Sequence, residues 1–258
     1  MADPHRQIVQ QKLEAVGYTV IEIPEGNGLS ADLAANGPDL GLVVEVKARR
    51  DDIERAREFN TGPAGRVIES LSLIVHDHFL SDVVHHAARQ ITSSQQHYSG
   101  LGVLWFRADP DLGISHADEK MLTTLLGKRS VNVRGPDGII SLATCYLAGY
   151  ADFYRYPGID LAVVEDPEDK ARLLVNPYSR RLDDVRASRL VAAVAEREPG
   201  AIIDLHRLET PEKGYVLWGD FSRKCEETVL AELKKLYPDR DFQLFDMKSS
   251  IGRIRMDA

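Results

Sequence analysis

Ser30-Ala-Asp-Leu-Ala-Ala-Asn-Gly-Pro-Asp-Leu-Gly-Leu-Val-Val-Glu-Val-Lys-Ala-Arg49 is the stretch on which the reading of this chain turns. Asn36-Gly37-Pro38-Asp39 is dense in turn residues, and Leu42 to Val46 is rich in β-branched ones, so the segment predicts a turn feeding a strand. Glu45 and Lys47 lie two apart on that strand and project from one face, while Val44 and Val46 face the other. A four-residue turn, Gly37 to Leu40, pairs Asn36 with Gly41 and places Asp32 opposite Glu45. Cross-strand neighbours sit about 4.5–5.5 Å apart at Cβ, a span that one hard cation can bridge. Two carboxylates and an ammonium are thereby expected on one face of a hairpin.

Working outward, Ile8, Val9, Leu13 and Val16 recur at helical spacing, with Asp3 as cap, Pro4 in the first turn and Gly17 as stop. Thr19 to Ile23 reads as a strand ended by Pro24. From Val67 to Tyr98 the pattern is helical, and two helices meeting near Ser81 are expected, with Gly100 closing the second. Leu101 to Phe106 is a continuous apolar run, the mark of a central strand buried on both faces. Beyond Asp109 a helix is expected near 118–126, strands near 131–133, 139–146, 161–164 and 172–175, helices near 181–198 and 222–237, and a last strand near 242–245. Residues 1–108 form the expected core, and 109–258 an α/β region packed on it or extending its sheet.

Composition bounds the function more loosely. Of 258 residues, 43% are hydrophobic and 28% charged, as in a folded globular chain. The net charge of −8 supplies no basic field over the whole molecule, which counts mildly against nucleic acid. Cys145 and Cys225 are too few for a disulfide framework or a cysteine-rich zinc site and read as reduced, partly buried thiols. Met1 to Arg6 has no apolar core of a signal peptide, and no apolar run reaches the roughly 20 residues of a membrane span. A cytoplasmic protein is expected.

The order helix, Gly17-Tyr18, strand, Asp32, turn, Glu45-Val46-Lys47-Ala48-Arg49 resembles the core of PD-(D/E)XK nucleases, especially resolvase-like and restriction-endonuclease-like members. The resemblance covers about residues 5–107, including the helix ending at Tyr98 and the strand 101–106. It implies an α/β fold, a restriction-endonuclease-like mixed central sheet flanked by helices, with an α/β C-terminal extension. It further implies Mg²⁺ (or Mn²⁺) held by Asp32, Glu45 and the backbone carbonyl of Val46. Lys47 would then orient or deprotonate a water, or offset charge on the phosphate. DNA is the implied substrate, in restriction, repair or phage defence. A homo-oligomer or protein partner is left open, and no membrane is expected.

Departures are visible. The proline of the motif's name is Ala31, and Asp39, which does follow a proline, falls in the turn. Some members carry a glutamine and a tyrosine on the helix after the motif. Gln90, Gln95, Gln96 and Tyr98 are available at spacings that do not match cleanly. Glu14, the first helix's acid, has no evident place at the site. Other Glu-x-Lys pairs, Glu168/Lys170 in a turn and Glu232/Lys234 on a helix, lack the hairpin context. So does Pro238-Asp239 with Asp246/Lys248, whose separation leaves no room for two strands. Without chemistry, Glu45 and Lys47 would be a solvated edge pair and Asp32 a turn cap, and the fold would serve as a binding or assembly module.

Arg49, Arg50, Arg55, Arg57 and Arg66 follow the site and could contact phosphates, or form a solvated face laced with ion pairs. Gln90 is grouped with the nucleic-acid contacts. His76, His78, His85 and His86 lack the spacing of a zinc set and read as surface or helix-terminal residues. Trp105 reads as core, whereas Tyr215 and Trp218 near a turn are undecided. Asn176 to Arg181 reads as a plain helix start.

Overall fold

The computed structural model describes residues 3–24, 29–37, 39–49, 67–108, 116–166, 168–198, 200–208, 214–219 and 225–254. Helix α1 (Pro4–Val16) is capped where the sequence predicts: Asp3 accepts from the amide of His5, and Gly17 closes the helix at φ 97°. That left-handed conformation costs a glycine little. Val9 and Leu13 are its buried stripe.

Three antiparallel strands follow, β1 (Thr19–Glu22), β2 (Leu33–Asn36) and β3 (Leu42–Arg49). They lead a seven-stranded mixed sheet in the order β1-β2-β3-β5-β8-β9-β10, whose other members are β5 (Leu101–Ala108), β8 (Leu161–Glu165), β9 (Ala171–Val175) and β10 (Ile202–Asp204). β3, β5 and β8 run parallel, β9 is antiparallel to β8, and β10 is parallel to β9. The whole of β5 is buried, as its unbroken apolar run requires. Gly41 and Gly100 start β3 and β5 back to back. A Cβ on Gly100 would stand 2.6 Å from the carbonyl carbon of Gly41.

Helices cover both faces. Under α2 (His78–Ser94), α3 (Ala117–Leu126) and α4 (Asp152–Arg155) lie Val43, Leu104, Phe106, Ala162 and Leu174. Under α1, α5 (Leu182–Ala187) and α6 (Arg189–Arg197) lie Val44, Val46, Val103, Trp105 and Val163. A four-stranded sheet, β11-β7-β6-β12, packs with α7 (Glu226–Leu236) around Val131, Cys145, Val229 and Leu233. Its strands are β6 (Lys128–Arg134), β7 (Ile140–Leu147), β11 (Tyr215–Leu217) and β12 (Asp241–Phe245). The fold is thus α/β, with mixed sheets flanked by helices, and strands from both sides of residue 108 share the large sheet.

Several sequence expectations need correction. Val67–Ile74 is a strand, β4, paired antiparallel with β13 (Met247–Ile254). Its apolar positions fit a helical period as well as a strand, and the partner that decides lies far along the chain. Helix α2 ends at Ser94, short of Tyr98. The single helix expected over 181–198 is two, because Ser188 leaves helical geometry at ψ 145° and caps the second. Strands β10 and β11, three residues each, are too short to show a period. Cys145 is buried, but Cys225 is exposed and not partly buried.

Candidate active site at the β2–β3 edge

The register Leu33↔Val44, Ala34↔Val43, Ala35↔Leu42 is the one a turn over Gly37 to Leu40 imposes. Continuing it brings Asp32 to Glu45, but the strand bends at Asp32. The Asp32 amide donates to Val44 O at 3.1 Å, and its Oδ2 accepts from the Val46 amide at 2.8 Å. Its carboxylate therefore continues the ladder in the plane of the sheet, where a plain cross-strand neighbour would point off the face. Since N–H and C=O of one strand residue point to the same side, the Val46 carbonyl is directed to this edge too.

Glu45 projects beneath α2 and is 1% exposed, and Asp32 is 6% exposed. Glu45 is therefore not the solvated member of an edge pair, although its neighbour Lys47 is partly exposed. Lys47 Nζ pairs with Glu45 Oε1 and donates to Gln90 Oε1 at 3.2 Å. Gln90 in turn donates to Ser30 O at 3.0 Å, while Ser94, one turn on, accepts from the Ala31 amide at 2.8 Å. Two residues at i and i+4 on α2 thus pin the segment that delivers Asp32. Gln90 belongs to the site itself, as the partner that holds Lys47.

Arg6 is the residue that sequence reasoning missed. Its Nη2 lies 2.7 Å from Asp32 Oδ1. The signal was present, since positions 6, 9 and 13 share one stripe of α1 and Val9 and Leu13 on it are buried. A half-buried cation beside an apolar stripe gains by meeting an anion at its inner end.

Two cations thus face two carboxylates, yet burial still dominates. It pushes the Glu45 carboxyl up to about 7, with the negative charge of Asp32 adding to the rise and Lys47 opposing it. Burial also raises Asp32, against the Val46 amide, Arg6 and Lys47. Glu45 Oε2 is buried with no hydrogen-bond partner among the described residues. A carboxylate oxygen in that state lacks either a proton or a cation.

The remaining expectations fall elsewhere. Arg49 lies 3.5 Å from Asp77 and stacks over the Phe79 ring at the start of α2. Arg50, Arg55, Arg57 and Arg66 lie outside the described residues. Asp39 accepts from the Arg189 amide, Glu14 from Gln10, and Gln95 donates to Gly100 O, all away from the site. Glu168 and Lys170 form an exposed pair, and Lys234 turns to Asp241. Among the described residues no three or more His, Cys, Asp or Glu side chains gather as a metal cage. No described helix is long and apolar enough to cross a membrane.

The donor set nevertheless suits one small hard cation, which takes one or two carboxylates, a carbonyl and several waters. Glu45 Oε2 is the open oxygen in that set. Comparison of the chain with protein-family models, with curated proteins and with solved structures gives no match.

Proposed function

We propose that the β2–β3 edge is the catalytic centre of a metal-dependent nuclease of restriction-endonuclease-like fold that hydrolyses DNA phosphodiester bonds. The observation that carries this reading is the buried, unpartnered Glu45 Oε2 beside Asp32, with Lys47 on the same strand face. Asp32, Glu45 and the Val46 carbonyl would hold Mg²⁺ or Mn²⁺. Bound there, such an ion supplies Lewis-acid polarisation of the phosphodiester and lowers the pKa of a coordinated water. Lys47, steadied by Gln90, keeps an ammonium where it can orient that water and offset charge on the phosphate. Gln90 and Ser94 hold the Asp32 segment against α2, so the geometry is set before substrate arrives.

A second reading has its own observation. Both oxygens of Asp32 are already engaged, by Arg6 and by the Val46 amide. A site neutralised from within suits a silent nuclease fold that binds or assembles. Plasmid and linear DNA incubated with the purified protein and Mg²⁺, Mn²⁺ or EDTA separate the two. Cleavage that needs the metal supports the nuclease. Cleavage indifferent to EDTA removes the metal site, and no cleavage in any condition favours the silent module.

A further inference from the structure

Four rings from four separate segments meet. Tyr154 belongs to α4, Tyr178 follows β9, His206 follows β10 and Trp218 follows β11. Tyr154 meets Tyr178 edge-on at 5.0 Å, and Tyr178 meets Trp218 edge-on at 6.3 Å. His206 stacks on Trp218 at 4.4 Å with 14° between the planes. Tyr154 is 48% exposed and Trp218 43% exposed, unlike the buried Phe106, Phe153 and Trp105. Large aromatic surface left in water at one place marks a surface awaiting a partner.

The platform is held rigid from beneath. The buried Asn176 amide donates to the carbonyls of Phe153, Tyr156 and Ile159, and its Oδ1 accepts from the Tyr178 amide at 2.9 Å. One side chain thereby locks the turn bearing Tyr154 to the turn bearing Tyr178. His206 is fixed in turn on the Pro177 carbonyl at 3.1 Å.

Charge selects the partner. Arg155 directly follows Tyr154, and Arg180 lies two residues after Tyr178. Both are exposed, and neither makes an ion pair within contact distance among the described residues, although Arg155 lies in the field of the buried Asp152. Arg180 also lines, with Arg181, Ser99, Gly158 and the acid Asp160, an open cavity of about 610 Å³. Partly exposed aromatic rings with guanidinium groups next to them in the chain match unpaired bases and phosphates. A duplex hides its base faces and cannot use such rings.

We propose that the Tyr154–Tyr178–Trp218–His206 surface stacks the unpaired bases of a single-stranded nucleic acid, with Arg155 and Arg180 taking its phosphates. The inference rests on the nuclease reading for its biological sense and adds a substrate class to it: nucleic acid with a single-stranded segment.

The test measures anisotropy of a labelled oligothymidylate of about 15 nucleotides in EDTA, where no metal-dependent cleavage can occur. Wild-type protein binds it, Trp218→Ala weakens binding about tenfold or more, and Tyr154→Ala weakens it several-fold. Trp218→Phe keeps most of the affinity, which guards against a fold defect in the alanine variant. Arg155→Ala with Arg180→Ala flattens the salt dependence. Affinity unchanged in Trp218→Ala and Tyr154→Ala overturns the proposal. So does wild-type protein that binds decaproline through Trp218 but no oligothymidylate, or that uses the rings to self-associate. The two readings fail separately. Binding through the rings without cleavage sinks the nuclease alone, and metal-dependent cleavage by variants that bind single strands normally sinks the platform alone.

Discussion

Two glutamates in the central sheet are equally buried, each with a lysine on one oxygen, and differ in what meets the other. Glu45 on β3 and Glu165 on β8 are each 1% exposed. Glu165 has both oxygens met, Oε1 by Lys12 at 2.6 Å and Oε2 by Arg107 at 2.5 Å, and Arg107 continues to Asp169. Glu45 has Lys47 on one oxygen and, among the described residues, nothing on the other. Burial alone therefore does not distinguish a working carboxylate from a structural one; unmet hydrogen-bonding capacity does. Glu165 closes a network that ties α1 to β5 and β8, whereas Glu45 leaves a coordination position open beside a second acid.

The comparison can be broken at its strongest point first. Asp32→Asn removes a cation ligand and Lys47→Ala removes the ammonium, and metal-dependent DNA cleavage should fall by about 10²–10⁴-fold in each. Lys47→Ala should retain Mn²⁺ in a calorimetric titration, because an ammonium is no ligand. Undiminished cleavage in Asp32→Asn would end the proposed mechanism.

Next in size is the structural glutamate. Glu165→Gln leaves the buried Arg107 with only the half-exposed Asp169 as its anion and should cost about 3 kcal/mol. That corresponds to a melting temperature lower by roughly 10 °C. A variant that melts with wild type would show the two glutamates to be less different than their partners imply.

Proton competition sharpens the contrast. A cation at Glu45 must displace the proton that burial favours, and this carboxyl titrates at about 7. Mn²⁺ affinity should climb by up to about tenfold per pH unit below that value and level off above it. A flat profile between pH 5.5 and 8 would place the cation elsewhere.

The smallest effect is on the fold. An unfolded Glu45 ionises near 4.5 and the folded one near 7, so its ionisation lowers stability as pH rises between these values. Glu45→Gln avoids that loss. At pH 8 without metal it should melt a few degrees above wild type, a gain of about 1 kcal/mol that vanishes near pH 4. A destabilised variant at pH 8 would mean that the pair with Lys47 outweighs the burial of charge.

Much of the site edge was legible in the chain. Turn length alone gives the β2–β3 register, and the two-residue alternation puts Glu45 and Lys47 on one face. The bend at Asp32 was not legible, because it follows from a side chain taking a ladder position that no backbone carbonyl fills. Sequence groups Gln90 with the nucleic-acid contacts, and its hold on Lys47 is not legible because it requires α2 to lie across β3 at one particular height. Trp218 stayed undecided for the same reason: its ring acquires meaning only beside Tyr178 and His206.

The chain by itself therefore determined the local facts: the caps of α1, the hairpin, the buried run of β5 and the carboxylate–lysine face. These depend on steric preference and periodicity within about ten residues. Tertiary structure decided what those faces meet. It made Val67–Ile74 a strand by supplying Met247–Ile254, set Arg6 against Asp32, and met both oxygens of Glu165 while leaving one of Glu45 bare. Periodicity says which side of an element is turned inward but not what waits there. The ionisation and coordination of a buried group depend on its partners, so its chemistry is settled only when distant segments have packed.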